Sequence, residues 1–163
     1  MMISLKHLNR RAGAALVSLL LLLTLAVSAS AAAVKMSVGV RFWRETGDKE
    51  SMADSAVDTA REATLTRQPN GTFTLELPVK QISSMNMTGS LTGIRIGEVN
   101  YEGTLSGELS NGTAVLTLKN LPASVLTGSD SNQALAVTCS IKMDTVLLGD
   151  ITTSARMSVW VER

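Results

Sequence analysis

Between residues 34 and 162 the apolar side chains recur at every second position, and this period of two constrains the fold more than any other feature. Val34, Met36, Val38, Val40 and Phe42 alternate with Lys35, Ser37, Gly39 and Arg41. Phe73, Leu75, Leu77 and Val79 alternate with Thr74, Glu76 and Lys80 around Pro78, and Ala155, Met157, Val159 and Val161 alternate with Arg156, Ser158, Trp160 and Glu162. Each run reads as a half-buried antiparallel strand, because successive side chains on a strand point to opposite faces. Turn signals separate the runs at Asn70-Gly71, Gly89, Gly103, Asn111-Gly112 and across 128–132, while Pro78 predicts an edge position or a bulge. The Ser- and Thr-rich stretch 83–107 retains Leu91, Ile94, Ile96, Val99, Tyr101 and Leu105, so it reads as strands with polar outer faces and not as a linker. The expectation is an all-β antiparallel sandwich of seven or eight short strands.

The first 31 residues stand apart from that pattern. Lys6, Arg10 and Arg11 precede an almost unbroken apolar run over 12–27, and Ala29-Ser30-Ala31 supplies small residues, which is the layout of a secretory signal peptide. Cleavage fits after Ala31 or after Ala33. An uncleaved amino-terminal anchor is the alternative, since the apolar run lies near the spanning length of about 20 residues; the membrane would then be reached through this segment only. Both readings put the domain at 34–163 outside the cytoplasm. No further membrane span, internal repeat or carboxy-terminal sorting signal is read in the rest of the chain.

Loss of the leader takes the formal net charge from +1 to −2, because three basic residues and no acidic ones leave with it. Nothing in that balance steers the domain to nucleic acid or to an anionic surface. The single cysteine, Cys139, rules out an intramolecular disulfide, and its place in the alternation Leu135, Val137, Cys139, Ile141, Met143 puts it on the apolar face of a strand, buried and inert. The fold must therefore rest on its core, which a chain of this size can supply.

Chemistry is limited by what is missing. The only histidine, His7, lies in the leader, so the domain has no imidazole for base catalysis or metal ligation, and an enzyme is the least favoured class. Asp48, Glu50, Asp54 and Asp58 cluster, but their spacing does not match an EF-hand loop and they read as a solvated face with a helix cap. Three Asn-x-Thr sequons, at Asn70, Asn86 and Asn111, coincide largely with turns. The soft ligands that remain are Tyr101, Cys139 and the methionines. Met36 and Met157 sit mid-strand as core, whereas Met52, Met85, Met87 and Met143 fall at strand ends and loops, where a pocket can use them.

After the first run, Trp43 is followed by Asp48-Lys49-Glu50-Ser51-Met52, a segment expected to form a short capped helical turn near residues 48–55 with Asp48 as the cap. Farther on come Ala63 to Leu65, the Asn70-Gly71-Thr72 turn, Met87-Thr88-Gly89, Met143 before a loop, and Ala155-Arg156-Met157 opening the last strand. This arrangement resembles the NEAT (near iron transporter) domains, small immunoglobulin-like sandwiches that bind haem on the surface of Gram-positive bacteria, in a branch with a Trp and then an Asp-Lys-x-Ser-Met turn. The resemblance implies an immunoglobulin-like fold and a role in iron acquisition, with a haem pocket between the helical lip and the hairpin joining the last two strands. The Tyr-x-x-x-Tyr pair of familiar members has no counterpart, since no tyrosine follows Tyr101. Met143 and Met52 are then the candidate iron ligands, Ser51 a hydrogen-bond donor to a propionate, Met87 a lining residue, and Arg156 or Lys142 a charge partner. The implied partners are haem, a haem-carrying protein and other envelope proteins. The competing expectation is a protein- or glycan-binding adhesion module without haem, presenting Trp43 and Trp160, which are out of phase with their apolar faces, as an exposed aromatic interface.

Overall fold

The computed structural model describes residues 32–84, 87–144 and 149–162. The leader reading and Met85 lie outside them. The chain forms ten strands: β1 Val34–Arg44, β2 Ala63–Arg67, β3 Phe73–Pro78, β4 Ile82–Ser84, β5 Met87–Ile96, β6 Val99–Glu102, β7 Thr104–Ser106, β8 Val115–Leu121, β9 Leu135–Met143 and β10 Asp150–Val161. All pairings are antiparallel, in the order β4-β5-β9-β10-β1-β2-β3-β8-β7, with β6 on β5. The count exceeds the expected seven or eight because β4, β6 and β7 are fragments of three or four residues.

Two shared strands fold this continuous ladder into a sandwich. The first half of β1, Val34 to Val38, pairs with β2, and the second half, Val38 to Arg44, pairs with β10. At the other end, β6 and β7 are one strand bent at Gly103, β6 pairing with β5 and β7 with β8. Gly103 permits the bend by close approach: its N–H donates to the Thr92 carbonyl at 2.8 Å, and a Cβ there would meet Leu116 Cδ1 at 2.3 Å. Because β1 and β6–β7 each belong to both layers, most of the ladder has no open edge.

The core follows the alternation. Phe42, Leu65, Leu75, Leu77, Leu116, Ile141 and Met157 are fully buried between the layers, and Cys139 joins them at zero exposure. Pro78 closes β3 at a position where β2 no longer pairs, so its missing N–H costs the ladder nothing on that side; the bulge of β3 falls instead in its pairing with β8, between Phe73 and Leu75. The two Asn-Gly-Thr turns share one local geometry. Asn70 Oδ1 accepts from the N–H and hydroxyl of Thr72, Asn111 Oδ1 accepts likewise from Thr113, and Gly71 and Gly112 take the left-handed conformation.

Among the described residues no helix is long and apolar enough to cross a membrane. The helical turn occurs as a 3₁₀ helix at Met52–Ala56, later than expected and with a different cap. Ser51, not Asp48, accepts from the Ala53 N–H, at 3.1 Å. Residues 44–50 are drawn back along β1 as a tight hairpin, with Arg44 N–H bonded to the Lys49 carbonyl and a bridge between Trp43 and Glu50. Asp48 is thereby held at the hairpin tip, where its carboxylate accepts from the Ser131 hydroxyl.

Candidate functional site

The strand registers leave one end of the sandwich uneven. Pairing of β10 with β1 stops at Ala155, whereas β10 continues to pair with β9 through Asp150. The β9–β10 hairpin therefore overhangs the end of β1, and the hairpin 44–50 and the 3₁₀ helix begin where β1 ends. The 3₁₀ helix forms a lip that packs against β1 and β5.

Two hydrogen bonds fix the lip to β1, and a third closes the lip on itself. Ser51 N–H donates to the Phe42 carbonyl at 2.8 Å, Phe42 N–H donates to Asp54 Oδ1 at 2.7 Å, and Asp54 N–H returns to the Ser51 carbonyl at 3.1 Å. Burial of Asp54 raises its pKa above the ordinary carboxylate value, against the opposing effect of the Phe42 N–H, and Glu50 adds to the rise. Ala53 and Ala56 anchor the helix in the core, Ser51 is 8% exposed, and Met52 projects outward at 44%. Ser51 and Met52 line a groove of about 560 Å³ together with Arg41, Arg44 and Lys80, opposed by Glu50 and Asp54. The Ser51 hydroxyl accepts from Ala53 and keeps its own proton to donate.

On the hairpin side, Met143 lies directly across from Gly89 of β5, which is itself opposite Ile82 of β4. The thioether rests on the glycine: a Cβ at residue 89 would lie 2.8 Å from Met143 Sδ. Met87 is two residues from Gly89 on the same face, a diagonal cross-strand neighbour of Met143 at about 7–8 Å between backbone positions. Ile141 and Ile151, paired across β9 and β10, continue this apolar inner face. Met143 and Ile151 are only partly buried and pack against the core. The structure thus brings Met87 and Met143 together, while Ser51 and Met52 sit on the lip.

Arg156 is elsewhere. Its register with Trp43 and Ala136 puts it on the outer face of β10, and its guanidinium donates to the carbonyls of Arg44 at 3.0 Å, Ser131 at 2.7 Å and Gly47. It staples the 44–50 hairpin to the 131–133 turn instead of facing the lip groove. Lys142 shares that outer face and is exposed. The carboxylates of the acidic run are separately engaged, Asp48 with Ser131, Asp54 with Phe42 and Asp58 with Arg61 at 2.8 Å, and no metal-holding group of His, Cys, Asp or Glu occurs among the described residues.

The two tryptophans do not form an exposed pair. Trp43 is half-buried, donates from Nε1 to Ser158 Oγ at 2.9 Å and carries the Arg41 guanidinium 5.4 Å from its ring centroid. Trp160, also half-buried, lies over Gly39. Being out of phase with the core put both on the outer face, but a small neighbour and a polar neighbour there receive them. Cys139 is desolvated, and burial pushes its thiol up to about 12, which excludes thiolate ligation at neutral pH.

Arg41, Arg44 and Lys80 were missed as groove residues, since only the return of 44–56 along β1 gathers them. Gly89 is a paired position inside β5 and not the expected turn; the glycine is needed there because Met143 approaches where a side chain would lie.

No protein-family profile matches the chain, and no curated protein matches it. Among solved structures, the NEAT5 domain of IsdX2, a B. anthracis hemophore in complex with haem, aligns with a TM-score of 0.50 at 8% identity, covering 80% of this chain and 98% of that one. A point mutant of the same IsdX2-NEAT5 domain, also in complex with haem, aligns at 0.51 and 8%, covering 80% and 97%. The chain has the immunoglobulin-like sandwich fold of a NEAT domain.

Proposed function

We propose that this chain is an exported, non-enzymatic domain that binds haem or a related porphyrin, for haem capture or relay at the bacterial cell envelope. The observation that carries the reading is the overhanging β9–β10 hairpin, with Met143 seated on Gly89 beside Met87, on the flank where the Ser51–Met52 lip begins. Two solved structures with this fold hold haem, which supports the same ligand class here.

The residues fit such a ligand. Ile151 and the thioethers of Met87 and Met143, all partly exposed, offer an apolar face for a macrocycle backed by the buried Ile82 and Ile141, and the lip groove offers Arg41, Arg44, Lys80 and the Ser51 hydroxyl for its carboxylates. Haem supplies an iron centre whose potential follows its axial donors, and thioether donors favour the ferrous state. Met143 from the hairpin and Met52 from the lip are the residues that would hold the iron, and Met87 would line the face; Arg156 acts indirectly, by holding the hairpin that precedes the lip. The leader sends the domain out of the cytoplasm, with cleavage after Ala31 or Ala33, and haem reaches it free or from a haem-carrying envelope protein.

The test is a haemin titration followed by visible absorption in the oxidised and dithionite-reduced states, for the wild type and for Met52→Leu, Met87→Leu and Met143→Leu. A saturable Soret band at one haem per chain is expected, with the reduced spectrum altered in Met143→Leu and Met52→Leu. A featureless titration would overturn the haem reading, and a spectrum unchanged in all three variants would overturn the thioether assignment. Amino-terminal sequencing of protein recovered from the culture medium is expected to begin at Ala32 or Val34.

A further inference from the structure

The edge of β1 that faces away from β10 is filled in two pieces, with a gap between them. Val34 to Val38 pair with β2 as far as Ala63. Phe42 is taken by Ser51 and Asp54. Val40 falls between. Its partner across the β1–β10 ladder is Val159, whose N–H and carbonyl are both committed to Thr127, at 3.1 Å to Oγ1 and 2.9 Å from the N–H. Val40 and Val159 are therefore a wide, non-bonded pair, and Val40 directs its own N–H and carbonyl to the opposite edge. Among the described residues nothing meets them there, although Val40 is only 7% exposed. An N–H and a carbonyl directed from a strand edge into an open groove are a template for an added strand.

The gap arises because β2 leaves the ladder early. Continuing its register would set Arg61 opposite Val40. The Arg61 guanidinium instead turns to Asp58 and to the carbonyls of Ala114 and Val79, and its backbone turns with it. What remains is a groove of about 450 Å³, floored by residues 38–41 and walled by residues 57–63, Pro78 and the Trp160 indole.

We propose that this groove is a peptide-binding site, which takes a short extended segment in the ladder position that β2 vacates, antiparallel to β1. Main-chain bonds to Val40 supply the docking, and side chains on alternate faces supply selectivity, as in strand addition to a sheet edge. The residue opposite Arg41 shares the outer face with that guanidinium and is acidic. The next, opposite Val40, points inward against Val57 and Ala63 and is small and apolar. The third, opposite Gly39, meets the Trp160 indole with Glu62 and Glu162 at the same end of the groove, and is basic. The sequence class is acidic, small, basic, read from amino to carboxyl end.

The protein is isolated ¹⁵N-labelled from a host that exports it and titrated with blocked Gly-Glu-Ala-Lys-Gly and with its charge-reversed counterpart Gly-Lys-Ala-Glu-Gly. The first peptide is expected to give a saturable downfield shift of the Val40 amide and slower exchange of its proton, and the second to bind about tenfold or more weakly. Arg41→Glu, at a half-buried side chain that lies over Trp43 and 3.7 Å from the Glu50 carboxylate, is expected to invert the preference, and Arg41→Gln, which adds no charge beside Glu50, to abolish it; retained dispersion of the spectrum shows that either variant is folded. Absence of a saturable Val40 shift with either peptide, or equal affinity for both, overturns the proposal. So does a response to a chito-oligosaccharide that moves the Trp160 indole and leaves Val40 in place, which makes the groove a glycan platform.

Discussion

The indole of Trp160 rests on Gly39, its cross-strand partner in the β1–β10 ladder, so closely that a Cβ at residue 39 would lie 2.2 Å from ring carbon Cζ2. Gly39→Ala forces the ring off the strand and is expected to lower stability by about 1–3 kcal/mol, the usual range for overpacking. Equilibrium urea unfolding monitored by tryptophan emission checks this. Adding Trp160→Leu removes the obstruction, so the double variant should lose less than the sum of the two single losses.

Gly89 and Met143 stand in the same relation at the hairpin end, with the added feature that the atom in the way is a sulfur at the proposed binding face. Gly89→Ala displaces the thioether without removing it. If Met143 is an axial donor, Gly89→Ala shifts the Soret maximum of the haemin complex in the same direction as Met143→Leu. A Gly89→Ala complex indistinguishable from wild type would count against that donor.

Much of this architecture is legible in the alternation of the chain. The runs at 34–42, 73–79, 135–143 and 155–161 are strands, Cys139 is core, and the two Asn-Gly turns are where their residues put them. What is not legible depends on partners far away in sequence. Ser51 displaces Asp48 as the cap only because residues 44–50 fold back on β1 and offer Asp48 to Ser131 instead. The diagonal placement of Met87 beside Met143 depends on a β5–β9 register that sets Gly89 opposite Met143 and slips between Leu91 and Gly93, and no local pattern encodes that register. Arg156, beside a run of apolar residues, gives no sign that three backbone carbonyls converge on it.

That convergence makes Arg156 a structural clamp. Arg156→Lys keeps the charge but not the planar fork that reaches Arg44, Gly47 and Ser131 at once. It is expected to cost about 1–3 kcal/mol and to speed amide hydrogen exchange at Arg44 and Ser51 more than in β3 or β8. Uniform loss of protection across the domain would show that the clamp is not local.

Acid titration separates the carboxylates. Asp58, bonded to Arg61, and Glu76, bonded to Thr64 and Lys35, are held below their ordinary values of 3.8 and 4.5. Their stabilising contribution is complete above those values and disappears as the pH falls through the lower folded ones. Asp54, raised by burial, runs the other way: its contribution is largest below 3.8 and is lost as the pH rises through its folded value. Urea midpoints should fall on acidification between about pH 5 and pH 3, less steeply in Glu76→Gln and more steeply in Asp54→Asn. Asp54→Asn keeps an acceptor for the Phe42 N–H and should match or exceed wild-type stability at neutral pH, whereas Asp54→Ala loses about 1 kcal/mol.

A thiol held at about 12 and fully buried reacts only when the fold opens. Labelling of Cys139 by a disulfide reagent at neutral pH is expected to track the unfolding rate measured independently. Faster labelling would mean that β9 opens locally.

The sharing of β1 between the two layers also sets an order of events. Its first half can zip to β2 once a few dozen residues are available, but its second half waits for β10, since Arg44 pairs with Ala155 and Val38 with Val161. Contacts of such sequence separation form slowly and late. The consequence is a sandwich that cannot close until the last strand is present, with the second half of β1 exposed until then.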